Sequence, residues 1–259
     1  MLLDQPVTLP RLAVAKAWEW ERIGPAHPVL GIVDVWVEND AASRLDDLTR
    51  QVLAEPGFYN LRTGRVTGEF RDLMLAVANA DAECYGWSAD RHGRDRATLT
   101  VLTGRGRNAV LATVEDDLLT LAAIGANQLV RAVVDALPDF PAANINEITI
   151  PKAEYDRGQG SDSYTLDTSS DYTVTSPVDQ LRALMTSRRE ASHQLFVAAR
   201  TGGGRAASMP LTAVDNLDHG RVLTYLRDNA HGEVDIACGP GNPEYITGTL
   251  ENTLRLLHG

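Results

Sequence analysis

The stretch CGPGNPEYITGTL, Cys238 to Leu250, sets two glycines, Gly239 and Gly241, just ahead of a helix start. Glycine-rich turns running into a helix N-terminus hold phosphate, because free N–H groups and the helix dipole face the anion. The residues that follow argue against that chemistry. Asn242 is a capping residue, Pro243 supplies no donor at the first helical position, and Glu244 places a carboxylate where a phosphate would sit. The turn reads as structural. A second candidate is ADRHGRDRA (89–97), where Asp90, His92 and Asp95 stand among arginines and offer acid and base groups for a hydrolase or transferase. A charged hairpin tip has the same composition, so both readings stay open. TGRGRNA (103–109) and TGGGRAA (201–207) are flanked by strand patterns on both sides and read as hairpin loops. The sequence holds no G-x-x-x-x-G-K-[ST], G-x-S-x-G or H-E-x-x-H, and its six histidines are scattered singly. No cofactor and no metal is expected.

Composition narrows the partner classes. The 259 residues carry 35 acidic and 24 basic side chains, a net charge of −11. Nucleic-acid binding draws on Lys/Arg patches that displace counterions, and anionic membranes attract basic segments, so neither partner is expected. No apolar run approaches the length of a spanning helix, and the N-terminus lacks a basic-then-apolar leader, which points to the cytoplasm. Lys16 and Lys152 are the only lysines, which reads as coding bias. Cys84 and Cys238 are far apart and in no C-x-x-C spacing. Two buried thiols are expected, with a disulfide as the alternative.

The elements that would position any site follow from periodicity. VTLPRLAVAKAWEWERIG reads as a helix entered at Thr8 or Leu9, with Pro10 in its first turn. HPVLGIVDVWVEND reads as a strand over 29–37. Helices are expected over NDAASRLDDLTRQVLAEPG and over GRVTGEFRDLMLAVANAD, the latter with Phe70, Leu73, Met74 and Val77 on one side. Four strands between 84 and 124 and a helix over 127–137 complete the first half. The second half repeats the order: strand 145–150, helix 177–189 opened by Ser176 and Pro177, four strands over 193–238, and a helix over 243–257. Residues 156–173 are polar and read as a mobile connection. Corresponding elements lie about 110 residues apart with little residue identity, so the repeat is one of element order. The expected fold is α+β: a pseudo-twofold duplicated antiparallel sheet with helices packed on one face and a C-terminal helical bundle. It forms a single domain of two quasi-repeats, about 1–140 and 145–259.

GRVLTYLRDNAHGEVDIACGPGNPEYITGTLENTLRLL resembles the C-terminal part of the EspG family, cytosolic chaperones of the type VII (ESX) secretion systems of actinobacteria. ATLTVLTGRGRNAVLATVEDDLLTLAAIGANQLVRAVVDALP is similar to that family's strands, hairpin and following helix, and VTLPRLAVAKAWEWERIG to its opening helix. The likeness is one of pattern over nearly the whole chain. It implies a non-enzymatic chaperone that covers an apolar helical tip on a PPE-type substrate, delivered as a PE–PPE heterodimer, through the central sheet and C-terminal helices. The RHGRDR loop (91–96) is shorter than the long loop of many family members.

Contact residues are expected where a half-exposed strand presents aromatic and Arg anchors. In RVLTYLRD, Leu223, Tyr225 and Arg227 share one face, and LFVAAR adds Phe196 and Arg200. The same apolar residues suit a core, because both faces of these strands carry them. A pseudo-symmetric ligand-binding domain, with an apolar pocket between its halves, is the remaining alternative.

Overall fold

The computed structural model describes residues 3–31, 39–103, 108–157, 176–202 and 204–258. The first half runs β1 (Val7–Pro10), α1 (Arg11–Glu21), a 3-10 turn (Pro28–Leu30), α2 (Asn39–Ala54), the short pair β2 (Tyr59–Asn60) and β3 (Arg65–Val66), and α3 (Gly68–Ala78). It continues through β4 (Ala82–Asp90), β5 (Asp95–Thr103), β6 (Asn108–Glu115), β7 (Leu118–Ile124) and α4 (Arg131–Asp135). The second half runs β8 (Ile148–Pro151), α5 (Lys152–Arg157), α6 (Pro177–Thr186), β9 (Arg189–Thr201), β10 (Gly204–Ala207), β11 (Leu211–Asn216), β12 (Gly220–Asp228), β13 (Val234–Pro240) and α7 (Pro243–His258).

Local chemistry sets several of these boundaries. Ser176 Oγ accepts from the Asp179 N–H at 3.1 Å and Pro177 takes the first position of α6. Asn242 Oδ1 accepts from the Tyr245 N–H at 2.7 Å at the start of α7. Phe70, Leu73, Met74 and Val77 form the buried stripe of α3. The opening segment differs from expectation. Val7–Pro10 is an edge strand on β7, registered Val7 to Leu121, and the helix begins only at Arg11. Pro10 is extended (φ −58°, ψ 131°), and a proline is tolerated on an edge where its missing N–H breaks no ladder. At the expected 29–37 strand, Val29 sits in the 3-10 turn, and residues 32–38 lie outside the described residues. So do residues 158–175, most of the expected connection.

All the long strands join one antiparallel sheet in the order β1-β7-β6-β5-β4-β9-β11-β12-β13-β8, with β10 paired to the end of β9. The centre is the β4–β9 pair, in register from Ala82–Ala199 to Asp90–Ala191. Outward from it, β5 faces β11 in rank, then β6 and β12, β7 and β13, β1 and β8.

Helices cover both faces, where the sequence pointed to one. On one face Leu195, Val197, Leu211, Ala213 and Leu223 pack under Val133 and Val134 of α4 and Ile246 and Leu250 of α7. On the other, Leu99, Val101 and Ala112 meet α1 and α3, while Val214, Val222 and Cys238 meet Val178 and Leu181 of α6. The reason is that central strands such as β4 and β9 carry apolar side chains at successive positions, so each side needs a cover. Among the described residues α4 and α7 together cover the first of these faces.

Candidate functional site

The sheet register separates the residues expected to meet a partner. Strand β11 lies between β9 and β12, so the LFVAAR and RVLTYLRD segments are not neighbours. Ala213 pairs with both His193 and Leu223, which puts Leu223, Tyr225 and Arg227 on the α7 face with the odd-numbered residues of β9. Phe196 and Arg200 therefore point to the opposite face. The five residues form no single surface.

Each has a definite setting. Leu223 is fully buried beneath α7 and belongs to the core. Tyr225 is half-buried, its hydroxyl 3.4 Å from that of Tyr245. Burial, followed by the Tyr225 hydroxyl, pushes the Tyr245 phenol well above the usual tyrosine range. Arg227 is exposed and donates to Glu147 Oε1 at 3.1 Å and Thr149 Oγ1 at 2.8 Å. On the other face Phe196 stacks on Tyr85, with centroids 5.2 Å apart, and meets the edge of Trp87 at 5.6 Å. Arg200 donates to the carbonyls of Ala78 and Ala80, fastening the end of α3.

The Asp90, His92 and Asp95 cluster is a locked turn. Asp90 Oδ1 accepts from the N–H groups of His92 (2.8 Å) and Arg94 (3.0 Å), and Oδ2 accepts from Arg94 Nε at 2.7 Å. The Arg94 backbone N–H is the main reason the Asp90 carboxyl lies below the usual range. Asp90 and Asp95 line a cavity of about 500 Å³, whereas the exposed His92 does not line it and lies near Glu190 instead. The three groups do not converge.

Two ionic clusters with buried centres were not apparent from the sequence. On the α7 face a row crosses six strands: Glu115, Arg96, Ser88, His193, Asp215 and Arg221. Ser88 Oγ is 2.8 Å from His193 Nδ1, and His193 Nε2 is 3.1 Å from Asp215 Oδ2. Asp215 accepts two hydrogen bonds from Arg221, at 2.5 and 2.9 Å. Burial opposes the charge on Asp215, but Arg221 and His193 outweigh it and hold the carboxyl below the usual range. Arg221 also donates to the Pro138 carbonyl (2.7 Å) and Arg96 to that of Ala136 (3.2 Å). The row thus ties down the end of α4 and the chain leaving it. A lone histidine in an apolar strand was the only signal in the sequence.

The second cluster lies on the opposite face. Glu83 is buried and accepts from Arg205 Nη2 at 2.6 Å and Nε at 2.9 Å, with His27 Nε2 at 3.4 Å. The Arg205 guanidinium lies over the Tyr85 ring. Burial raises the Glu83 pKa, but hydrogen bonds from His27 and Arg205 win and the net shift is downward. A depressed carboxyl contributes stability above its unfolded value, about 4.3, and loses it as pH falls through the folded value. Urea-melting midpoints should therefore fall as pH drops below about 4.5. Glu83→Gln should cost about 1.5–3 kcal/mol at pH 7 and progressively less in acid. A constant deficit from pH 7 to pH 3 would contradict this account.

Other chemistry is limited. Gly239 and Gly241 owe their presence to close packing. A Cβ on Gly239 would run into the Tyr245 ring, and one on Gly241 would meet the Arg221 carbonyl at 2.8 Å. The turn is structural, as its sequence indicates. Cys84 and Cys238 are free and buried, and burial pushes both thiols up. Among the described residues no three His, Cys, Asp or Glu side chains gather as a metal site, and no helix is long and apolar enough to cross a membrane.

The sequence model of the EspG family matches residues 10–252. The chain belongs to the EspG family. That span takes in every element from the start of α1 to most of α7, so both halves and both ionic clusters lie inside the EspG match. Among solved structures the EspG fold is seen in the Mycobacterium tuberculosis type VII secretion system chaperone EspG5, determined in complex with the PE25-PPE41 dimer. That protein is 15% identical, the match covers 96% of each chain, and the TM-score is 0.67. No curated protein matches this EspG-family chain.

Proposed function

We propose that this protein is a cytoplasmic chaperone of a type VII secretion system. It binds a PPE-type protein, presented as a PE–PPE heterodimer, and covers an apolar helical tip until export. The observation that carries this reading is the family match across both halves of the chain. The fold likeness to EspG5, whose solved complex contains a PE–PPE pair, supports it. Binding rather than turnover is the activity, in keeping with a cluster at Asp90 to Asp95 that is spent on its own turn. The two halves are quasi-repeats of one domain, a reading supported by a strand order that is the same outward from β4 and from β9.

Tyr225 and Arg227, on β12 beside α7, are the anchors for the partner. Leu223 acts behind them as core. Phe196 and Arg200 serve the opposite face and the end of α3. The test is co-expression with PE–PPE pairs from the same genome, followed by size-exclusion chromatography. A stoichiometric ternary complex is expected. Elution of the chain alone beside well-expressed, soluble pairs would overturn the reading.

A further inference from the structure

Ser88, His193 and Asp215 play no part in partner binding as proposed, yet they stand in the order nucleophile, base, orienting carboxylate. Arg221 keeps Asp215 ionised, so Asp215 offers only acceptor oxygens to His193. An acceptor opposite Nε2 requires the proton on Nε2. In the neutral ring that leaves the lone pair on Nδ1, where it accepts the Ser88 hydroxyl proton. Packing fixes this arrangement, since His193 is fully buried and Asp215 is 1% exposed. Ser88 is half-buried, and Ser88 and His193 both line the cavity of about 500 Å³, with Arg96, Glu115 and Pro138 on its wall. The hydroxyl is thus activated and has space in front of it.

We propose that Ser88 is an acyl-acceptor site that takes one acyl group per chain from a small activated ester. Ser88 Oγ adds to the ester carbonyl carbon and its proton passes to His193 Nδ1. The bond from that carbon to the leaving oxygen breaks, and His193 returns the proton to that oxygen. The products are O-acyl-Ser88 and the free alcohol or phenol. The restriction to activated esters has a structural cause. β4 is paired on both sides around Ser88, to Arg96 of β5 and His193 of β9. Its N–H groups are committed to those ladders and give no free pair of donors for an oxyanion, so the leaving group must be good.

The probe is p-nitrophenyl acetate on the full chain, with p-nitrophenol release followed by absorbance and the acetylated residue located by peptide mass spectrometry. One equivalent should be released in a burst, with acetate on Ser88. The rate at Ser88 should be about 100-fold above that of the same chain in urea, the low end of what a positioned general base supplies. Ser88→Ala should abolish the burst, and His193→Gln should abolish it while leaving the hydroxyl in place. Should His193→Gln fail to fold, the comparison of folded with urea-unfolded wild type still decides. Acetate found only on Lys16, Lys152 or the N-terminus would overturn the proposal. So would acetylation of Ser88 at equal rates in the folded and unfolded chain.

Discussion

Asp215→Ala is expected to destabilise the protein by about 3–5 kcal/mol, a large share of the stability of a domain this size. The carboxylate is 1% exposed and accepts from Arg221 twice and from His193 once. Without it Arg221, itself 4% exposed, keeps its charge with the Pro138 carbonyl and the Phe140 ring as its remaining side-chain partners among the described residues. Removing one partner of a buried pair exacts the full desolvation of the other, which is why the loss exceeds the worth of any single hydrogen bond. The damage should be traced to α4, whose end is held through Pro138 and Ala136. Urea denaturation gives the magnitude, and hydrogen exchange should show residues 131–138 losing protection first. The double substitution Asp215→Leu with Arg221→Met should recover much of the loss, because a buried pair replaced by apolar groups leaves no orphaned charge. A single-variant loss under about 1 kcal/mol would mean that water reaches Arg221, and the fastening role would fall.

If Tyr225 anchors the partner as proposed, Tyr225→Ala should weaken capture of a PE–PPE pair by at least about 2 kcal/mol, close to 30-fold in Kd, the loss expected for a half-buried aromatic anchor. Phe196→Ala should leave the affinity within about threefold, although it costs stability through its stack on Tyr85. The contrast follows from the register, since the two rings lie on opposite faces of one sheet and a rigid helical tip reaches only one of them. Titration by calorimetry at matched folded fractions separates binding from stability. The reverse ranking, with Phe196 dominant, would move the docking surface to the α1–α3 face and leave the chaperone reading intact. Equal and small effects from both would place the contact away from the strands.

Much of the molecule follows from the sequence by local rules. Ser176-Pro177 and Asn242-Pro243 start α6 and α7 because capping and proline geometry act within one turn. The α3 stripe is set by a 3.6-residue period, and the strands between Ala82 and Pro240 by alternation and turn residues. The order of those elements is what the proposed pair of quasi-repeats rests on, and the quoted segments carry the likeness to the EspG family. Pro10 lies one element earlier than its helix-opening pattern predicts, because a proline opens a helix and ends an edge strand equally well, and only the pairing with β7 distinguishes the two.

What the tertiary structure decided is everything that depends on which strand lies beside which. A strand's neighbours are chosen by distant segments, and a shift of one residue exchanges its two faces. The insertion of β11 between β9 and β12 separates Phe196 from Tyr225, and parity then sends them to opposite sides. The same register gathers Ser88, His193, Asp215 and Arg221 from four strands into one row, buried except at its half-buried Ser88 end. No spacing along the chain encodes the whole row, because Ser88 comes from β4 and meets His193 only where β4 pairs with β9, while Asp215 and Arg221 are brought to His193 by β11 and β12.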